Sequence, residues 1–359
     1  MKIIVGISGG VDSSVTALIL KQQGHEVEAL FMKNWHEEHK DGSCTWEADV
    51  EDALKVCETL DIPLNTIDLS SEYWESVFKS FLEDYQRGVT PNPDILCNQE
   101  IKFKAFMEHA LNLGAEKIAT GHYARTQHSN QQVKLLKAVD TNKDQSYFLC
   151  RLTQTQLSKS LFPIGELHKN DVRKIATNAK LVTHDKKDST GICFVGERPF
   201  RDFLSQYIPI CKGEIQTVDG QVIGEHNGAF FYTIGQRQGL GIGGVFGTPE
   251  GPWYVVNKDA SNNILHVAQG HDNPLLFSLG INASSLHWIA SAAPNAPLQC
   301  LAKTRYRQTD QLCTIENIDR GSGKVVFDKP QRAVTPGQYI VFYKGDTCLG
   351  GGIIDNAWS

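Results

Sequence analysis

Apolar and polar residues alternate along the first part of the chain in blocks that predict strands and helices in turn. Short apolar runs predict four strands, at residues 2–7, 25–31, 64–68 and 117–120. Helical patterns lie between them, at residues 15–23, 46–60, 74–85 and 94–113. This order predicts an α/β domain whose parallel, Rossmann-like sheet is covered by helices on both faces.

Three loops leave the carboxyl ends of these predicted strands. They carry residues 8–14, Met32 and Gly121-His122. Ligands of open parallel sheets bind beyond the carboxyl ends of the strands. We therefore expect the three loops to meet at one crevice.

The pattern changes near Lys212, where helical periodicity nearly disappears and short β-rich runs begin. Turn signals separate those runs at Asp219-Gly220, Asn262-Asn263, Gly321-Ser322-Gly323 and Pro336-Gly337. Such spacing is typical of hairpins and barrels, and a second change of composition falls at residues 270–274. The sequence predicts three domains: residues 1–200, a small β-rich domain at 201–272, and a C-terminal β-barrel at 273–359.

Residues 8–14 read Ser-Gly-Gly-Val-Asp-Ser-Ser and lie between the first predicted strand and the first predicted helix. We call them the Ser-Gly-Gly loop. Unpaired backbone N–H groups and serine hydroxyls at a helix start suit phosphate or pyrophosphate. The loop lacks the Gly-Lys-Ser/Thr ending of a Walker site, which argues against transfer of a γ-phosphoryl group. The alternative is a plain glycine turn, which the flanking serines and Asp12 disfavour.

Composition limits the other classes of function. The chain has 359 residues, 41% of them hydrophobic, and a net charge of −6, so an RNA contact would need a local basic surface. No apolar run approaches the roughly 18 residues of a membrane span, and no leader is recognisable, so we expect a cytoplasmic protein without membrane contact. Nine cysteines without a Cys-x-x-Cys pair argue against a disulfide framework, a zinc site and an iron-sulfur cluster.

Asp94 and Cys97 lie three residues apart at the start of a predicted helix, after Asn92 and Pro93. That spacing places a carboxyl and a thiol on one face. The helix dipole favours a thiolate there, and the carboxylate could move a proton, as a nucleophilic cysteine requires. The alternative is a capping aspartate beside a buried structural cysteine.

Cys193 follows two lysines and a Ser-Thr-Gly turn, in residues 186–194. An electropositive loop of this kind activates a thiol or holds a persulfide, although a surface turn with an inward cysteine is an equal alternative. Cys97 and Cys193 together suggest thiol exchange rather than metal binding.

Three further patterns are weaker. Residues 36–39 (His-Glu-Glu-His) lack the spacing of a zinc helix, and residues 239–244 form a glycine loop in a β-rich context rather than a dinucleotide site. Lys303, Arg305 and Arg307 alternate around Tyr306 in a strand-like run, so we expect three cations on one face, suited either to phosphate contact or to solvent.

The Ser-Gly-Gly loop resembles the pyrophosphatase loop of ATP-dependent adenylating enzymes, whose fold is the adenine nucleotide alpha-hydrolase type. Further motifs, in order along nearly the whole chain, are similar to those of the tRNA-specific 2-thiouridylases. They are Asn92-Pro93-Asp94-Ile95-Leu96-Cys97-Asn98, Gly121-His122-Tyr123, Lys143-Asp144-Gln145-Ser146-Tyr147-Phe148, Ser189-Thr190-Gly191-Ile192-Cys193-Phe194 and Thr233-Ile234-Gly235-Gln236-Arg237. No motif position departs from the family pattern.

The resemblance implies ATP-dependent 2-thiolation of the wobble uridine of tRNA. AMP is attached to the uracil C2 oxygen, pyrophosphate leaves, and Cys193 supplies sulfur as a persulfide. The persulfide attacks C2 directly, or Cys97 attacks it and releases hydrosulfide, and a Cys97–Cys193 disulfide forms. Asp94 acts as general acid or base. The ATP-binding residues implied are Gly6, Ile7, Ser8, Gly9, Gly10, Val11, Asp12, Ser13, Met32 and Gly121, with Mg²⁺ offsetting the phosphate charge.

The resemblance also implies the partners. Asn92, Pro93 and Asp94 contact the target base, which must leave the anticodon stack. The tRNA anticodon stem-loop is contacted by His122, Lys143, Asp144, Gln145, Arg305, Tyr306 and Gln338. Sulfur comes from a cysteine desulfurase or a sulfur-relay protein.

Three other functions would each require a feature that can be compared with this sequence. An amidotransferase-type synthetase shares the Ser-Gly-Gly loop but would need an ammonia source, and no glutaminase pattern is present. A tRNA 2-thiocytidine enzyme would need Cys-x-x-Cys pairs for an iron-sulfur cluster. An RNA-binding module that only binds ATP would not need both Cys97 and Cys193.

Overall fold

The computed structural model describes residues 1–35, 46–129, 132–188, 200–243 and 251–359. Five strands pair in parallel in the N-terminal sheet, in the order β3-β2-β1-β4-β7. They are β1 (Lys2–Ile7), β2 (Glu26–Lys33), β3 (Leu64–Asp68), β4 (Lys117–Ala119) and β7 (Ser160–Leu161). The predicted parallel sheet is confirmed.

Helices cover both faces of this sheet. The helices of this part of the chain are α1 (Val11–Gln22), α2 (Glu47–Leu60), α3 (residues 70–86), α4 (residues 93–112), α5 (Gln154–Ser158), α6 (Lys169–Asn178) and α7 (Phe200–Leu204). Ile3 and Val5 of β1 pack in one core with α1, α2 and α6, whereas Ile4 packs in the other with α3 and α4. A strand buried on both faces needs an unbroken apolar run, and residues 3–5 supply one.

Helix α1 begins at Val11, four residues earlier than the sequence pattern predicts. Gly10 precedes it in an extended conformation, and the hydroxyls of Ser13 and Ser14 donate to the Gly10 carbonyl at 3.1 and 2.8 Å. Serine is a poor helix former because its hydroxyl competes for backbone groups. Here that competition is satisfied inside the first turn, so the helix starts directly after the glycines.

Helices α3 and α4 each contain a wider, π-helical segment. In α3 it spans Trp74–Phe78, and in α4 it spans Cys97–Ala105. Wide turns of this kind are often found at functional sites, and the one in α4 begins at Cys97. The predicted helix at residues 94–113 therefore exists, but its central turns are wider than those of an α-helix.

The middle of the chain forms a four-stranded sheet in the order β10-β11-β8-β9. Its strands are β8 (Gly213–Thr217), β9 (Val222–His226), β10 (Trp253–Asp259) and β11 (Ile264–Gln269). Residues 239–243 of the predicted glycine loop lie outside helices and strands, and Gly244 lies outside the described residues.

Six strands then close into a barrel, because β12 pairs with both β15 and β17. They are β12 (Phe277–Trp288), β13 (Leu298–Lys303), β14 (Gln311–Asp319), β15 (Ser322–Arg332), β16 (Tyr339–Lys344) and β17 (Thr347–Trp358). Apolar side chains such as Ile281, Val325 and Phe342 fill its interior. The predicted C-terminal barrel is confirmed.

One β-hairpin connects the N-terminal region of the chain to the C-terminal barrel. Its strands β5 (Ala124–His128) and β6 (Val133–Lys137) follow β4 in sequence, yet β6 pairs with β17 of the barrel sheet. The first 200 residues thus contribute two strands to the C-terminal sheet. This long-range pairing places the loops after β4 and β6 beside the barrel.

Within the described ranges, no helix combines the length and apolar character that a membrane crossing requires. Seven cysteines are described, all as free thiols; six of them are buried and Cys211 is exposed. Cys44, Cys193 and the predicted loop at residues 36–39 lie outside the described residues.

Candidate active site

The Ser-Gly-Gly loop leaves β1 between the carboxyl ends of β2 and β4. Within the described residues, the backbone N–H groups of residues 9–13 donate to no other group. Gly9 adopts a φ of +69°, and a Cβ atom there would lie 2.3 Å from the Asp49 carbonyl oxygen of α2. Only glycine fits this position, and N–H groups left free at the start of a helix can bind an anion.

Two of the three predicted serine donors of this loop are turned inward. Ser13 and Ser14 are nearly or fully buried, and both hydroxyls donate to Gly10. Ser8 is exposed, and its hydroxyl lies 3.2 Å from that of Ser13. The expectation that Ser13 and Ser14 offer free hydroxyls to an anion is therefore wrong for this conformation, since those hydroxyls shape the loop.

Asp12 points from the first turn of α1 towards α6. Both of its carboxylate oxygens lie 2.8 Å from Lys169 Nζ, and one accepts a 2.8 Å hydrogen bond from the Tyr123 hydroxyl. Burial first, and then the Asp12 carboxylate, raise the pKa of Tyr123. Tyr123 therefore stays protonated and acts as a donor.

Asp188 lies on the other side of Lys169. It accepts from Lys169 at 2.7 Å, from Arg173 at 3.0 Å and from Lys143. Burial alone would raise the pKa of Asp188, but the hydrogen bonds from Lys143 and Lys169 outweigh it and lower the pKa to about 2. We call Asp12, Lys143, Lys169, Arg173 and Asp188 the crevice cluster.

Hydrogen bonds bring three of the sequence motifs together around this cluster. A Cβ atom on Gly121 would lie 2.8 Å from the backbone of Asp12, so the loop after β4 rests on the start of α1. Tyr123 and Gln145 exchange two hydrogen bonds, at 2.9 and 2.8 Å. Asn98 Nδ2 donates to the Phe148 carbonyl at 3.4 Å. This bond connects α4, which carries Cys97 and which we call the Cys97 helix, to the segment that contains Gln145.

The Cys97 helix begins as the sequence predicts. Asn92 caps it by accepting from the Ile95 N–H at 3.4 Å, and Pro93 occupies its first position. Asp94 is partly exposed, whereas Cys97 is fully buried in the core. In this conformation solvent reaches the Asp94 residue in part, whereas the thiol needs a local opening to react. Cys193 and the rest of residues 189–194 lie outside the described residues.

Nearby carboxylates balance more of the positive charge before Cys193 than the sequence suggests. Lys186 forms ion pairs with Asp49 at 2.8 Å and Asp52 at 2.6 Å of α2, while Lys187 is exposed. With Asp188 in the crevice cluster, most of the charge of this segment is paired. The pattern missed these partners because they lie more than 130 residues away in sequence.

Residues 90 and 91, just before the Cys97 helix, are hydrogen-bonded to the middle and C-terminal regions of the chain. Thr90 donates its N–H to Pro336 at 3.1 Å, and Gln338 Nε2 donates to the carbonyls of Thr90 and Pro91 at 2.9 and 3.2 Å. Lys258 of β10 donates to the Thr90 hydroxyl at 3.2 Å, and burial lowers the pKa of Lys258 to about 8. The amide N–H₂ of Gln338, predicted to contact tRNA, is thus already engaged.

The other predicted tRNA contacts divide into exposed and buried side chains. Strand β13 ends at Lys303, which points inward 3.7 Å from Asp144, so the expected strand face with three cations is wrong. Arg305 and Arg307 are exposed on the turn that follows, and Tyr306 packs on Phe148 with ring centroids 4.4 Å apart. Asp144 is buried and accepts from two backbone N–H groups at 3.1 Å.

His122 is also buried. Its Nδ1 lies 2.8 Å from the Thr120 hydroxyl, and its ring packs against Phe103 and Phe162. Burial lowers the pKa of His122 well below its usual value, so the ring is neutral. In this conformation His122 supports the loop after β4 from within.

Sequence reasoning did not single out Lys169, Arg173 or Asn34, and it gave Asn98 only as the last residue of a motif. Lys169 stands in an ordinary amphipathic helix, and no short motif marks it. Asn34 follows β2, and among the described residues neither of its side-chain amide atoms has a hydrogen-bond partner, although both are buried; the same holds for Asn98 Oδ1. The signal in the sequence was position alone, since Asn34 follows Met32 by two residues and Asn98 follows Cys97 directly.

No group of three or more potential ligands from His, Cys, Asp and Glu is arranged for a metal within the described ranges.

Comparisons with known proteins cover nearly the whole chain. Family models match in order: the tRNA methyl transferase HUP domain at residues 1–197, the tRNA methyl transferase PRC-barrel domain at 201–269, and the aminomethyltransferase beta-barrel domain at 278–354. The tRNA-specific 2-thiouridylase MnmA of Haemophilus ducreyi is 57% identical over 355 residues, which are 99% of this chain and 92% of that protein. The MnmA of Salmonella typhimurium is 58% identical over 99% of this chain and 96% of that protein.

Likeness to solved structures is weaker. The U34-tRNA thiolase NcsA from Methanococcus maripaludis, solved with its [4Fe-4S] cluster, is 17% identical and has a TM-score of 0.35 over 57% of this chain and 63% of that one. A score this low says nothing about the substrate of the present protein. Identity above one half along almost the entire length is decisive by itself, and this chain belongs to the tRNA-specific 2-thiouridylases, a family of enzymes.

Proposed function

We propose that this protein transfers sulfur to C2 of the wobble uridine in tRNA, using ATP to activate the uracil C2 oxygen. The observation that carries the proposal is the full-length similarity to 2-thiouridylases. The geometry supports it, because the Ser-Gly-Gly loop and the Cys97 helix are connected through residues 121–123 and 145–148. One crevice can therefore serve both the nucleotide and the base.

ATP would bind along the Ser-Gly-Gly loop. The free N–H groups of residues 9–13 suit the phosphates, and Gly6, Ile7, Met32 and Gly121 surround the carboxyl ends of β1, β2 and β4. Asp12 offers a carboxylate beside the loop, and magnesium commonly uses one or two carboxylates together with substrate phosphates. When bound, Mg²⁺ would offset phosphate charge, and Asp12 would hold it only after releasing Lys169.

Adenylation converts a poor leaving group into a good one. The C2 oxygen of uracil attacks the α-phosphorus, and the bond to the β-phosphate oxygen breaks, so pyrophosphate leaves. The free N–H groups at the start of α1 would stabilise negative charge on the phosphates during this step. AMP then departs with the C2 oxygen when sulfur attacks that carbon.

Sulfur transfer would use Cys193 as the persulfide carrier and Cys97 as the second thiol. In the direct route the terminal sulfur attacks C2, and Cys97 then displaces the modified base by attacking Cys193. In the other route Cys97 first releases hydrosulfide, which attacks C2. Both routes end in a Cys97–Cys193 disulfide, which an external thiol must reduce. Asp94, partly exposed at the start of the Cys97 helix, would move the protons.

The tRNA anticodon stem-loop would lie across the crevice and the barrel. Asn92, Pro93 and Asp94 would contact the flipped base, and Arg305 and Tyr306 are exposed or half-exposed for direct contact. The other predicted tRNA contacts would shape that surface, and four of them do so through hydrogen bonds or ion pairs within the protein. These contacts are Lys143, Asp144, Gln145 and Gln338, together with the buried His122. A cysteine desulfurase or relay protein would supply sulfur, in the cytoplasm where tRNA is modified.

The test is reconstitution. Purified protein is incubated with an unmodified tRNA bearing a wobble uridine, MgATP and a persulfide donor, and the nucleosides are analysed by mass spectrometry. We expect 2-thiouridine at the wobble position together with one AMP and one pyrophosphate per sulfur inserted. A tRNA with cytidine at that position is the matched control. AMP formation without thiolation, or thiolation without ATP, would overturn the proposal.

A further inference from the structure

Lys169 is a buried lysine that no motif of this protein marks. It is the first residue of α6, and its side chain is 10% exposed. The groups that face it come from four segments: Asp12 of α1, Asp188 after α6, the Tyr123 ring 5.8 Å from Nζ, and Asp140, which accepts its backbone N–H at 2.9 Å. An ammonium group held this closely has a defined position.

That position adjoins the Ser-Gly-Gly loop. Nζ binds both carboxylate oxygens of Asp12, the second residue of α1, and the free N–H groups of residues 9–13 surround the start of the same helix. The loop itself has no lysine. Lysine is well suited to phosphate as a compact charge on a flexible stem, so a short movement of Nζ would bring it from Asp12 to an anion on the loop.

Positive and negative charges around Lys169 are equal in number. The three cations of the crevice cluster lie beside Asp12, Asp188 and the nearby Asp140. The donors that have no described partner are the N–H groups of residues 9–13, and an anion on the loop would satisfy them.

We propose that Lys169 holds the β- and γ-phosphates of ATP, and then the departing pyrophosphate, in the role that the Walker lysine has elsewhere. In the free enzyme Asp12 and Asp188 keep Nζ in place; when nucleotide binds, Nζ exchanges Asp12 for phosphate oxygens and retains Asp188. Asp12 is thereby released at the step that needs its carboxylate. This inference rests on the proposed use of ATP.

The test is to compare ligands that have or lack the outer phosphates. Binding of inorganic pyrophosphate, ATP and AMP to the full-length protein is measured by calorimetry, without tRNA, for wild type and Lys169→Met. A hydrogen-bonded charge contact predicts a loss of roughly 10- to 100-fold for pyrophosphate and ATP. AMP should change by less than about threefold, because the contact is to phosphates that AMP lacks.

Lys174→Gln is the matched control. Lys174 is on the same helix and pairs with Asp171 on the surface, so its loss should leave all three affinities unchanged. Lys169→Gln serves as a second variant, since its amide can still bond to Asp12 while the positive charge is lost. Thermal unfolding of each free protein confirms that it is folded at the assay temperature.

Each result decides the matter. A selective loss for pyrophosphate and ATP in Lys169→Met or Lys169→Gln supports the assignment. An equal loss for AMP would show that Lys169 only maintains the loop, and unchanged pyrophosphate binding would show that it does not touch the phosphates; both overturn it while leaving ATP use intact. If wild type binds neither ATP nor pyrophosphate, the proposed adenylation fails as well.

Discussion

Two lysine–aspartate clusters, each containing a lysine about one-tenth exposed, lie in different surroundings. The crevice cluster adjoins the Ser-Gly-Gly loop. The second, which we call the barrel cluster (Lys137, Asp144, Lys303 and Asp310), joins strand β6 and the loop after it to the barrel. Three of their lysines are about equally buried: Lys169 is 10% exposed, Lys137 11% and Lys303 12%, whereas Lys143 is 29% exposed.

The difference lies in what surrounds the charges. In the barrel cluster Asp144 accepts from the N–H groups of Ala138 and Ser146 and from the Ser146 hydroxyl, and Lys137 Nζ lies 4.4 Å from the Tyr343 ring centroid. In the crevice cluster the neighbouring N–H groups of residues 9–13 have no described acceptor. The satisfied donors beside the barrel cluster fit a structural role, whereas the unpaired donors beside the crevice cluster fit the proposed nucleotide site.

The largest expected effect is at Cys97, on the crevice side. Cys97→Ser should lower thiolation by at least about a thousandfold, as loss of a nucleophile does, because neither sulfur-transfer route can be completed. Cys193→Ser should do the same, whereas ATP binding should survive in both. The measurement is 2-thiouridine by mass spectrometry, with Cys211→Ser, an exposed cysteine, as the control. Full thiolation by either variant would reject the persulfide mechanism.

The next largest effect is on the rate of AMP formation, which we expect the crevice cluster to influence and the barrel cluster not to influence. Asp12→Ala should slow AMP formation by roughly 10- to 100-fold, the cost of one charged contact. The reason is that Asp12 positions Lys169 and is the carboxylate offered to magnesium pyrophosphate. The rate is measured as AMP released with saturating tRNA. Asp171→Ala, on the surface of α6, is the control, and an unchanged rate for Asp12→Ala would remove it from the mechanism.

A smaller effect, on stability alone, is expected in the barrel cluster. Lys137→Met removes the cation paired with Asp310 and should lower the free energy of unfolding by about 1 to 2 kcal/mol, since it leaves a partly exposed carboxylate with Lys303 as its remaining cation. Urea unfolding measures it, with Lys55→Met as an exposed control that should leave the free energy of unfolding nearly unchanged. If thiolation falls only in proportion to the folded fraction, the barrel cluster has a structural role, as expected. A loss of activity in fully folded protein would contradict that role.

The smallest expected effect is a pH dependence of stability at Asp188. The pKa of Asp188 is about 2 in the folded protein, below its ordinary value of 3.8. Its ion pairs therefore stabilise the fold fully above about pH 4, and that contribution is lost as the pH falls towards 2. The difference in unfolding free energy between wild type and Asp188→Asn should shrink over that range. A constant difference would contradict the assignment of the low pKa to its lysine partners.

Much of the fold followed from local pattern. The unbroken apolar run at residues 3–5 indicated a strand covered on both faces, and the turn signals after Lys212 indicated a β-rich second half with a barrel. Local pattern is informative there because a buried face needs apolar residues at a fixed period. It failed at the start of α1, where serines that look like a loop complete the first helical turn.

The sequence alone determined the chemistry on offer: a Gly-Gly turn with free N–H groups, a carboxyl and a thiol three residues apart, and motifs shared with one enzyme family. Only the tertiary structure decided which charges meet. Lys169 reaches Asp12 across 157 positions, and Lys186 reaches Asp49 across 137. Such pairs leave no periodic trace, because ion pairing depends on where helices pack and not on spacing along the chain.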